Sequence, residues 1–258
     1  YDASGSSVHC AVDSADVVGQ ERAKRALLIA AAGGHNVLLN GPPGMGKSML
    51  AKTLPGLLPT LTHEEALQIT HLHSLGSQEV SSVISARPFR SPHHSASDVS
   101  IVGGGQHPRP GEITMAHGGV LFLDELPEFR RPTIGALRQP LEDGIITVAR
   151  AKETVNYPAR FMLIATRNPC PCGYLGSVHD CTCTTAQIQA YNKKISGPIE
   201  DRIDMHVTVD QINHDQLLHA APGAATSSEL RSLVIRARKL QSSRYGKGAA
   251  LNSSASTA

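Results

Sequence analysis

The stretch Gly41-Pro-Pro-Gly-Met-Gly-Lys-Ser48 constrains the fold more than any other part of this chain. It matches the pattern G-x-x-x-x-G-K-[ST] at every fixed position, between the apolar run Val37–Leu39 and a helical pattern that begins at Met49. Glycines let backbone N–H groups turn inward around a phosphate chain, and the N-terminus of the following helix adds a partial positive charge. The stretch therefore predicts a P-loop that binds a nucleoside triphosphate.

The residues of this loop have separate predicted roles. Lys47 is expected to reach the β- and γ-phosphates, and the hydroxyl of Ser48 is expected to bind Mg²⁺, which takes few protein ligands. A Gly/Pro-rich surface loop with a solvated lysine is the alternative. The residues predicted to contact nucleotide are Gly41, Pro42, Pro43, Gly44, Met45, Gly46, Lys47, Ser48 and Met49.

The composition limits the class of protein. The 258 residues are enough for one large α/β domain, or for a core with a small satellite. A formal charge of +2 provides no general attraction to nucleic acid, so any such contact must be local. No apolar run approaches the roughly 18 residues of a membrane span, and the chain start lacks a signal-peptide pattern. We therefore expect a cytoplasmic protein without a membrane partner.

A second strong signal is the apolar run Gly119–Leu123, which ends in the adjacent carboxylates Asp124 and Glu125. Such a run is typical of a central parallel strand, and ligands bind at the carboxyl ends of these strands. Beside a P-loop, Asp124 is expected to hold Mg²⁺ together with Ser48, and Glu125 to activate the attacking water. The pair predicts hydrolysis as well as binding, the alternative being an exposed acidic strand end.

Apolar strands alternate with helical patterns over most of the chain, which predicts a doubly wound parallel sheet. We expect a tail at 1–15, a P-loop core at 16–210 and the start of a truncated helical lid domain at 211–258. Residues 76–119 are interpreted as an insertion, and 145–157 as a protruding hairpin. Helices are predicted at about 20–33, from 49 to a stop at Pro55 and Pro59, and at 63–73, 132–141, 185–195 and 228–244; further strands are predicted at 161–166 and 203–209.

Two cysteine pairs, Cys170-Pro-Cys172 and Cys181-Thr-Cys183, follow the predicted strand at 161–166. Four thiolates can close a tetrahedral zinc site, although C-x-C is tighter than the usual C-x₂-C spacing. Free thiols are the alternative in a reducing cytosol. His179 is a substitute ligand or an ordinary surface histidine.

With these motifs in this order, the chain resembles the AAA+ ATPases, and within them the magnesium-chelatase-like ATPases of the YifB/ComM group. The resemblance implies a sheet of about five strands with a helix insertion, a hairpin before the sensor strand and a lid. It also implies a bacterial homo-hexameric ring that hydrolyses ATP with Mg²⁺ and drives branch migration of DNA. The stretches that carry it are Gly34–Leu39, Arg87–His94, Pro110–Ile113, Leu121–Phe129, Asn168–Tyr174 and Ser196–Asp204.

The resemblance assigns two further catalytic positions. Asn168 corresponds to the sensor of the γ-phosphate and the attacking water, and Arg202 to the arginine finger that acts on a neighbouring subunit. A structural ion pair of Arg202 with Asp201 or Asp204 is the alternative. Three arginines near the C-terminus are expected to be solvated helix positions, namely Arg231, Arg236 and Arg238.

DNA contacts are expected from cations around the hairpin and the insertion, because both point toward the ring pore in this lineage. Ordinary ion pairs with Glu112, Glu153 or Asp98 are the alternative. Competing functions are a metal-chelatase-type motor that remodels a protein partner and a nucleotide-switched assembly scaffold. The proposed DNA-contacting residues are Arg87, Arg90, His93, His94, Arg150, Lys152 and Arg160.

Overall fold

The computed structural model describes residues 12–76, 81–105, 109–149, 154–195, 197–211, 224–246 and 251–255. Most of the tail predicted at 1–15, and the hairpin residues Arg150 and Lys152, lie outside these ranges. The helices are α1 Glu21–Gly33, α2 Lys47–Leu57, α3 His63–Ser74, α4 Asp98–Val102, α5 Glu112–Met115, α6 Arg131–Ala136, α7 Arg138–Asp143, α8 Thr185–Asn192 and α9 Ser227–Tyr245. The strands are β1 Val37–Asn40, β2 Phe89–Arg90, β3 Gly103–Gly104, β4 Arg109–Pro110, β5 Val120–Leu123, β6 Ile145–Ala149, β7 Thr154–Pro158, β8 Met162–Arg167 and β9 Met205–Thr208.

The central sheet has five parallel strands in the order β2-β5-β8-β1-β9. Successive residues of its inner strands point to opposite faces and are buried on both. Leu38 and Leu163 enter one hydrophobic cluster, whereas Leu39 and Ile164 enter the other. The predicted α/β fold, a doubly wound P-loop sheet of about five strands, is confirmed.

The edge strand β2 lies inside the stretch that was predicted to be an insertion. Phe89 pairs with Val120 of β5, and its ring stacks on Phe122 at 5.9 Å between centroids. Two residues are too few to show the alternation that marks a strand, so the sequence pattern missed it. The predicted hairpin is present, with β6 and β7 antiparallel, and its tip lies outside the described residues.

Helix α2 ends at Leu57, between Pro55 and Pro59, the two prolines that were predicted to close it, and Pro55 itself lies inside the helix. Pro55 lacks the N–H for one helical bond, but Leu54 and Leu57 are buried and hold the last turn against the core. The single helix predicted at 132–141 is two short helices, α6 and α7, which are separated at Leu137. The predicted start of α3 is confirmed by a reciprocal capping box between Thr62 and Glu65.

Helix α9 packs on α1 and α2, and its Val234 enters the same buried cluster as their apolar side chains. Arg238 donates to the carbonyl of Ala31 at 2.6 Å, and Arg231 donates to that of Gly56 at 2.8 Å. The expectation that both arginines are solvated is therefore wrong. Burial lowers the pKa of Arg238 to about 10. These arginines satisfy carbonyls in the last turns of α1 and α2, where helices lack internal donors.

The segment before α1 is tied to α9. Its short 3-10 helix spans Ser14–Asp16, and the backbone N–H of Ser14 donates to the hydroxyl of Ser227 at 2.8 Å. In return, the N–H of Ser227 donates to Asp13 at 3.0 Å. The division at residues 15 and 210 stays a prediction. Among the helices of the described ranges, none has both the length and the apolar character needed to cross a bilayer.

Candidate nucleotide-binding site

The P-loop connects β1 to α2 with the backbone shape that its glycines predict. Gly44 and Gly46 both have φ of +79°, a conformation that side-chain-bearing residues rarely adopt. Gly46 is the N-cap of α2 and provides no side-chain cap, so the N–H groups of the first helical turn lack partners within the helix. This arrangement fits an anionic ligand such as a polyphosphate.

Lys47 lies at the centre of this loop and is only 7% exposed. Its ammonium donates to the carbonyls of Gly41 at 2.5 Å and Pro42 at 2.7 Å, and to Oδ1 of Asn168 at 3.0 Å. Burial lowers the pKa of Lys47, and the negative charges of Asp124 and Glu125 oppose that shift. A buried cation surrounded by exchangeable oxygen partners is well placed to bind phosphate oxygens.

Asp124 follows β5 directly and accepts two short hydrogen bonds. Ser48 Oγ donates to its Oδ2 at 2.8 Å, and Thr166 Oγ1 donates to its Oδ1 at 2.6 Å. A hydroxyl and a carboxylate in contact are hard oxygen donors of the kind that Mg²⁺ takes, so these residues fit the predicted ion. Sequence reasoning missed Thr166, whose signal is a lone hydroxyl at the end of the apolar strand β8.

Glu125 has an unusual backbone conformation, with φ of 54° and ψ of 54°. A non-glycine residue in this left-handed region costs on the order of 1–3 kcal/mol, and such strain concentrates at functional sites. The N–H of Glu125 donates to Thr166 Oγ1 at 2.8 Å, so one threonine positions both carboxylate residues. Asn168 also donates to Glu125 Oε1 at 3.4 Å.

Asn168 connects the P-loop lysine to the carboxylate of Glu125. Its Oδ1 accepts from Lys47 and its Nδ2 donates toward Glu125. The strand order explains this meeting, because β8 lies between β5 and β1 and all three end at the same edge of the sheet. The structure therefore brings together five residues that were predicted to take part in nucleotide binding or hydrolysis: Lys47, Ser48, Asp124, Glu125 and Asn168.

Arg202 lies apart from this network. In the described part of the chain its guanidinium pairs with Glu142 of α7 and makes a weaker contact to the carbonyl of Pro198 at 3.5 Å. The two carboxylates named as alternative partners, Asp201 and Asp204, are not its partners. Asp204 instead accepts from the N–H of Asn36 at 2.7 Å.

The four cysteines after β8 lie together, with all four sulfurs within 4.8 Å of one another. Cys170 is buried and is 3.3 Å from the sulfur of Cys172 and 3.6 Å from that of Cys181. The backbone N–H of Cys172 donates to Cys183 at 3.4 Å. A backbone hydrogen bond from Tyr174 lowers the pKa of Cys172 to about 6.

His179 is exposed and packs edge-on against Tyr174, with ring centroids 5.2 Å apart. The four-sulfur group does not include it.

Two of the predicted DNA contacts are engaged inside the fold. Arg90 binds Glu112 through two hydrogen bonds of 2.5 and 2.6 Å, as the ion-pair alternative predicts. Arg87 binds Glu65 and donates to the carbonyl of Gly118 at 2.6 Å. The insertion therefore presents fewer free cations than its sequence suggests.

The chain matches the family model described as magnesium chelatase, subunit ChlI, over residues 13–217. It is 48% identical to competence protein ComM of Haemophilus influenzae over 94% of this chain and 48% of the relative. It is also 48% identical to the uncharacterized protein YifB of Escherichia coli, over 91% of this chain and 46% of the relative. The magnesium-chelatase 38 kDa subunit of Rhodobacter capsulatus is 28% identical over 65% of this chain and 53% of the relative.

The chain thus spans about half the length of the ComM and YifB relatives it matches. The family match covers the P-loop, both carboxylates and the cysteine cluster. The five-stranded parallel sheet and the site at its edge agree with that match. The chain therefore belongs to the magnesium chelatase, subunit ChlI, family of AAA+ ATPases, in the group that contains YifB and ComM.

Proposed function

We propose that this chain is the ATP-hydrolysing core of a homo-hexameric ring that translocates or branch-migrates DNA in recombination or natural transformation. The observation that carries the ATPase part is the network that joins Lys47, Asn168 and Glu125, with Ser48 and Asp124 beside it. Binding alone does not require a carboxylate held in a strained conformation beside the loop. A cytoplasmic location fits both ATP as substrate and four reduced thiols.

Each residue contributes a separate step to hydrolysis. Lys47 exchanges its carbonyl partners for the β- and γ-phosphates and offsets their charge. Glu125 accepts a proton from the attacking water, and Asn168 orients that water and reads the γ-phosphate. Ser48 and Asp124 would hold Mg²⁺, which supplies charge neutralisation at the phosphates when bound. Thr166 bonds both Asp124 and the backbone of Glu125 and so fixes their positions relative to each other.

Assembly into a ring is proposed because the network within one chain contains no arginine among its described members. Arginine side chains stabilise the charge that develops in phosphoryl transfer, and they often come from a second subunit. Arg202 is a surface residue with a side chain 32% exposed, so it can meet a neighbour's nucleotide after leaving Glu142.

Support for DNA as the substrate is the similarity to a relative named a competence protein. A metal-chelatase-type motor is the second candidate, because a named magnesium-chelatase subunit matches 65% of this chain. A purely nucleotide-switched scaffold fits less well, since Glu125 occupies the position that hydrolysis needs.

The test is the ATPase activity of the full-length parent protein with and without forked and four-way DNA. We expect stimulation by DNA, and we expect Glu125→Gln to keep ATP binding while hydrolysis falls about 10²–10⁴-fold. Glu128→Gln is the matched control, since Glu128 lies in the same loop and pairs with Lys194 at the surface. Equal turnover by the Glu125 variant and the parent would remove the hydrolytic assignment. Hydrolysis without any response to DNA would favour the chelatase-type motor.

A further inference from the structure

The cysteine cluster lies directly beside the nucleotide site. Only Pro169 separates Asn168 from Cys170, which is completely buried. Asn168 is the residue that bonds both Lys47 and Glu125. Anything that fixes the position of Cys170 therefore also restricts Asn168, two residues earlier, whose side-chain amide bonds Lys47 and Glu125.

The loop that carries the cysteines also touches the P-loop. Gly173 has φ of +87°, and a Cβ at this position would lie 2.7 Å from Cδ of Pro43. The backbone of the cysteine loop thus packs against the P-loop without space for a side chain. Gly173 follows Cys172 directly, so Cys170 and Cys172 lie within three residues of the contact between this loop and the P-loop.

The sulfur positions fit a tetrahedral metal. With a Zn–S bond of about 2.3 Å, the sulfurs of a Zn(Cys)₄ site are separated by roughly 3.8 Å. The recorded separations are 3.3, 3.6 and 3.6 Å, and all four sulfurs fall within 4.8 Å. Thiols without a metal gain little from such crowding, because S–H groups are weak donors and acceptors.

We propose that Cys170, Cys172, Cys181 and Cys183 bind one structural Zn²⁺ and that this zinc site holds Asn168 against the P-loop. Four thiols lose their protons on binding, so the site forms as Zn(S-Cys)₄ with a charge of −2 and four protons go to solvent. The loop at 170–183 contains no regular strand or helix, so the metal supplies the rigidity that secondary structure does not.

The first test measures metal in the full chain purified without chelators. Elemental analysis should find one zinc per chain. Titration with a mercurial thiol reagent should release that zinc, as detected by a zinc-binding dye. The variant Cys181→Ser/Cys183→Ser should retain less than about a fifth of the zinc, whereas Cys10→Ser, which removes a thiol outside the two C-x-C pairs, should retain all of it. Freely reactive native thiols without zinc, iron in place of zinc, or disulfides would each overturn the assignment.

The second test asks whether the zinc positions Asn168, and this half rests on the proposed nucleotide site. Zinc removal from the wild-type chain should weaken binding of a fluorescent ATP analogue about tenfold, and added zinc should restore it. In Asn168→Ala, zinc removal should have little further effect, because the two changes act on the same contact. If zinc removal lowered the affinity for the ATP analogue equally in both proteins, the metal would stabilise the fold in general and would not position Asn168. Zinc content is independent of ATP binding, so a failure of the proposed function leaves the metal assignment measurable.

Discussion

The nucleotide edge of the sheet and the insertion around β2 both contain basic residues that the sequence suggests as ligand contacts, yet the fold pairs these residues differently. At the nucleotide edge, Lys47 is bound by carbonyl and amide oxygens, which a phosphate can replace. In the insertion, Arg90 and Arg87 are bound by the carboxylates Glu112 and Glu65. A basic residue in a sequence thus indicates a ligand contact only when it does not form an ion pair with a carboxylate of the same fold.

Arg202 is the sharpest test of this comparison, because it is paired with a carboxylate like Arg90 although the resemblance makes it catalytic. In an assembling form, Arg202→Ala should lower kcat about 10³-fold, since arginine fingers contribute 10³–10⁵-fold. Glu142→Gln should leave activity intact or raise it by releasing the guanidinium. Steady-state ATPase assays at saturating ATP measure both effects.

Mixing experiments determine whether Arg202 acts on a neighbouring subunit. Inactive Arg202→Ala subunits mixed with inactive Lys47→Ala subunits should regain part of the activity at mixed sites. Mixtures that stay inactive, with assembly shown by sedimentation, would place Arg202 with the structural arginines of the insertion.

The next largest effect is expected at Lys47 itself. Lys47→Ala removes a charged donor at the centre of the P-loop and should weaken ATP binding about 10- to 100-fold. Lys52→Ala, an exposed lysine on the same helix, is the control and should bind ATP normally. Equilibrium binding of a labelled ATP analogue with Mg²⁺ gives both affinities. Equal affinities for the two variants would mean that the loop lysine is structural.

A third prediction compares the stability effects of removing a cation that is paired with a carboxylate and of removing the cations at the predicted hairpin tip. Arg90→Ala should lower the free energy of unfolding by about 1–3 kcal/mol, because it leaves the half-buried Glu112 without its partner. Arg150→Ala/Lys152→Ala at the predicted hairpin tip should change it by less than about 0.5 kcal/mol. Denaturant titrations compare the two variants, and partial recovery in Arg90→Ala/Glu112→Ala would confirm that the penalty comes from the unpaired carboxylate.

Arg90→Ala and the hairpin variant Arg150→Ala/Lys152→Ala should also differ in their affinity for DNA. The hairpin variant should lose affinity and show a smaller dependence on salt, since fewer counterions are released. Arg90→Ala should change neither quantity as long as the protein is folded. A DNA affinity that depends on Arg90 and not on the hairpin would mean that the insertion, rather than the hairpin, contacts DNA.

The smallest effect is a pH dependence at Glu65. Burial alone would raise the pKa of Glu65, but the Thr62 N–H and Arg87 lower it below its ordinary value of 4.5. A lowered pKa means that the stabilisation is complete above about pH 4.5 and is lost as the pH falls through the folded-state pKa. Glu65→Gln should therefore flatten the stability profile in acid by less than about 1 kcal/mol. Glu64→Gln, the exposed neighbouring carboxylate, should leave the profile unchanged.

The features that the sequence predicted well are those that a short stretch determines by itself. The P-loop turn, the apolar strand before Asp124 and the capping box of α3 depend on neighbouring residues, so their patterns are visible in the sequence. Thr166 and the Arg202–Glu142 pair depend on strand order and on residues that are distant in sequence. No local pattern distinguishes a threonine at the end of an apolar strand from one that positions two carboxylates.

The same reason explains the errors at the C-terminal helix. Arginine side chains on a helix usually reach solvent, and only the packing of α9 on α1 and α2 shows the carbonyls that Arg231 and Arg238 reach. Pro55 lies inside α2 rather than at its end, because burial of the last turn outweighs the local preference of proline.

The bond from Arg231 to Gly56 also has a mechanical consequence. Helix α2 begins at Lys47 and spans about 16 Å, at roughly 1.5 Å per residue, to the turn that Arg231 holds. Helix α9 is therefore fastened to one end of α2, while the lysine that is proposed to bind phosphate lies at the other end. Arg238 fixes α9 to the last turn of α1 in the same way.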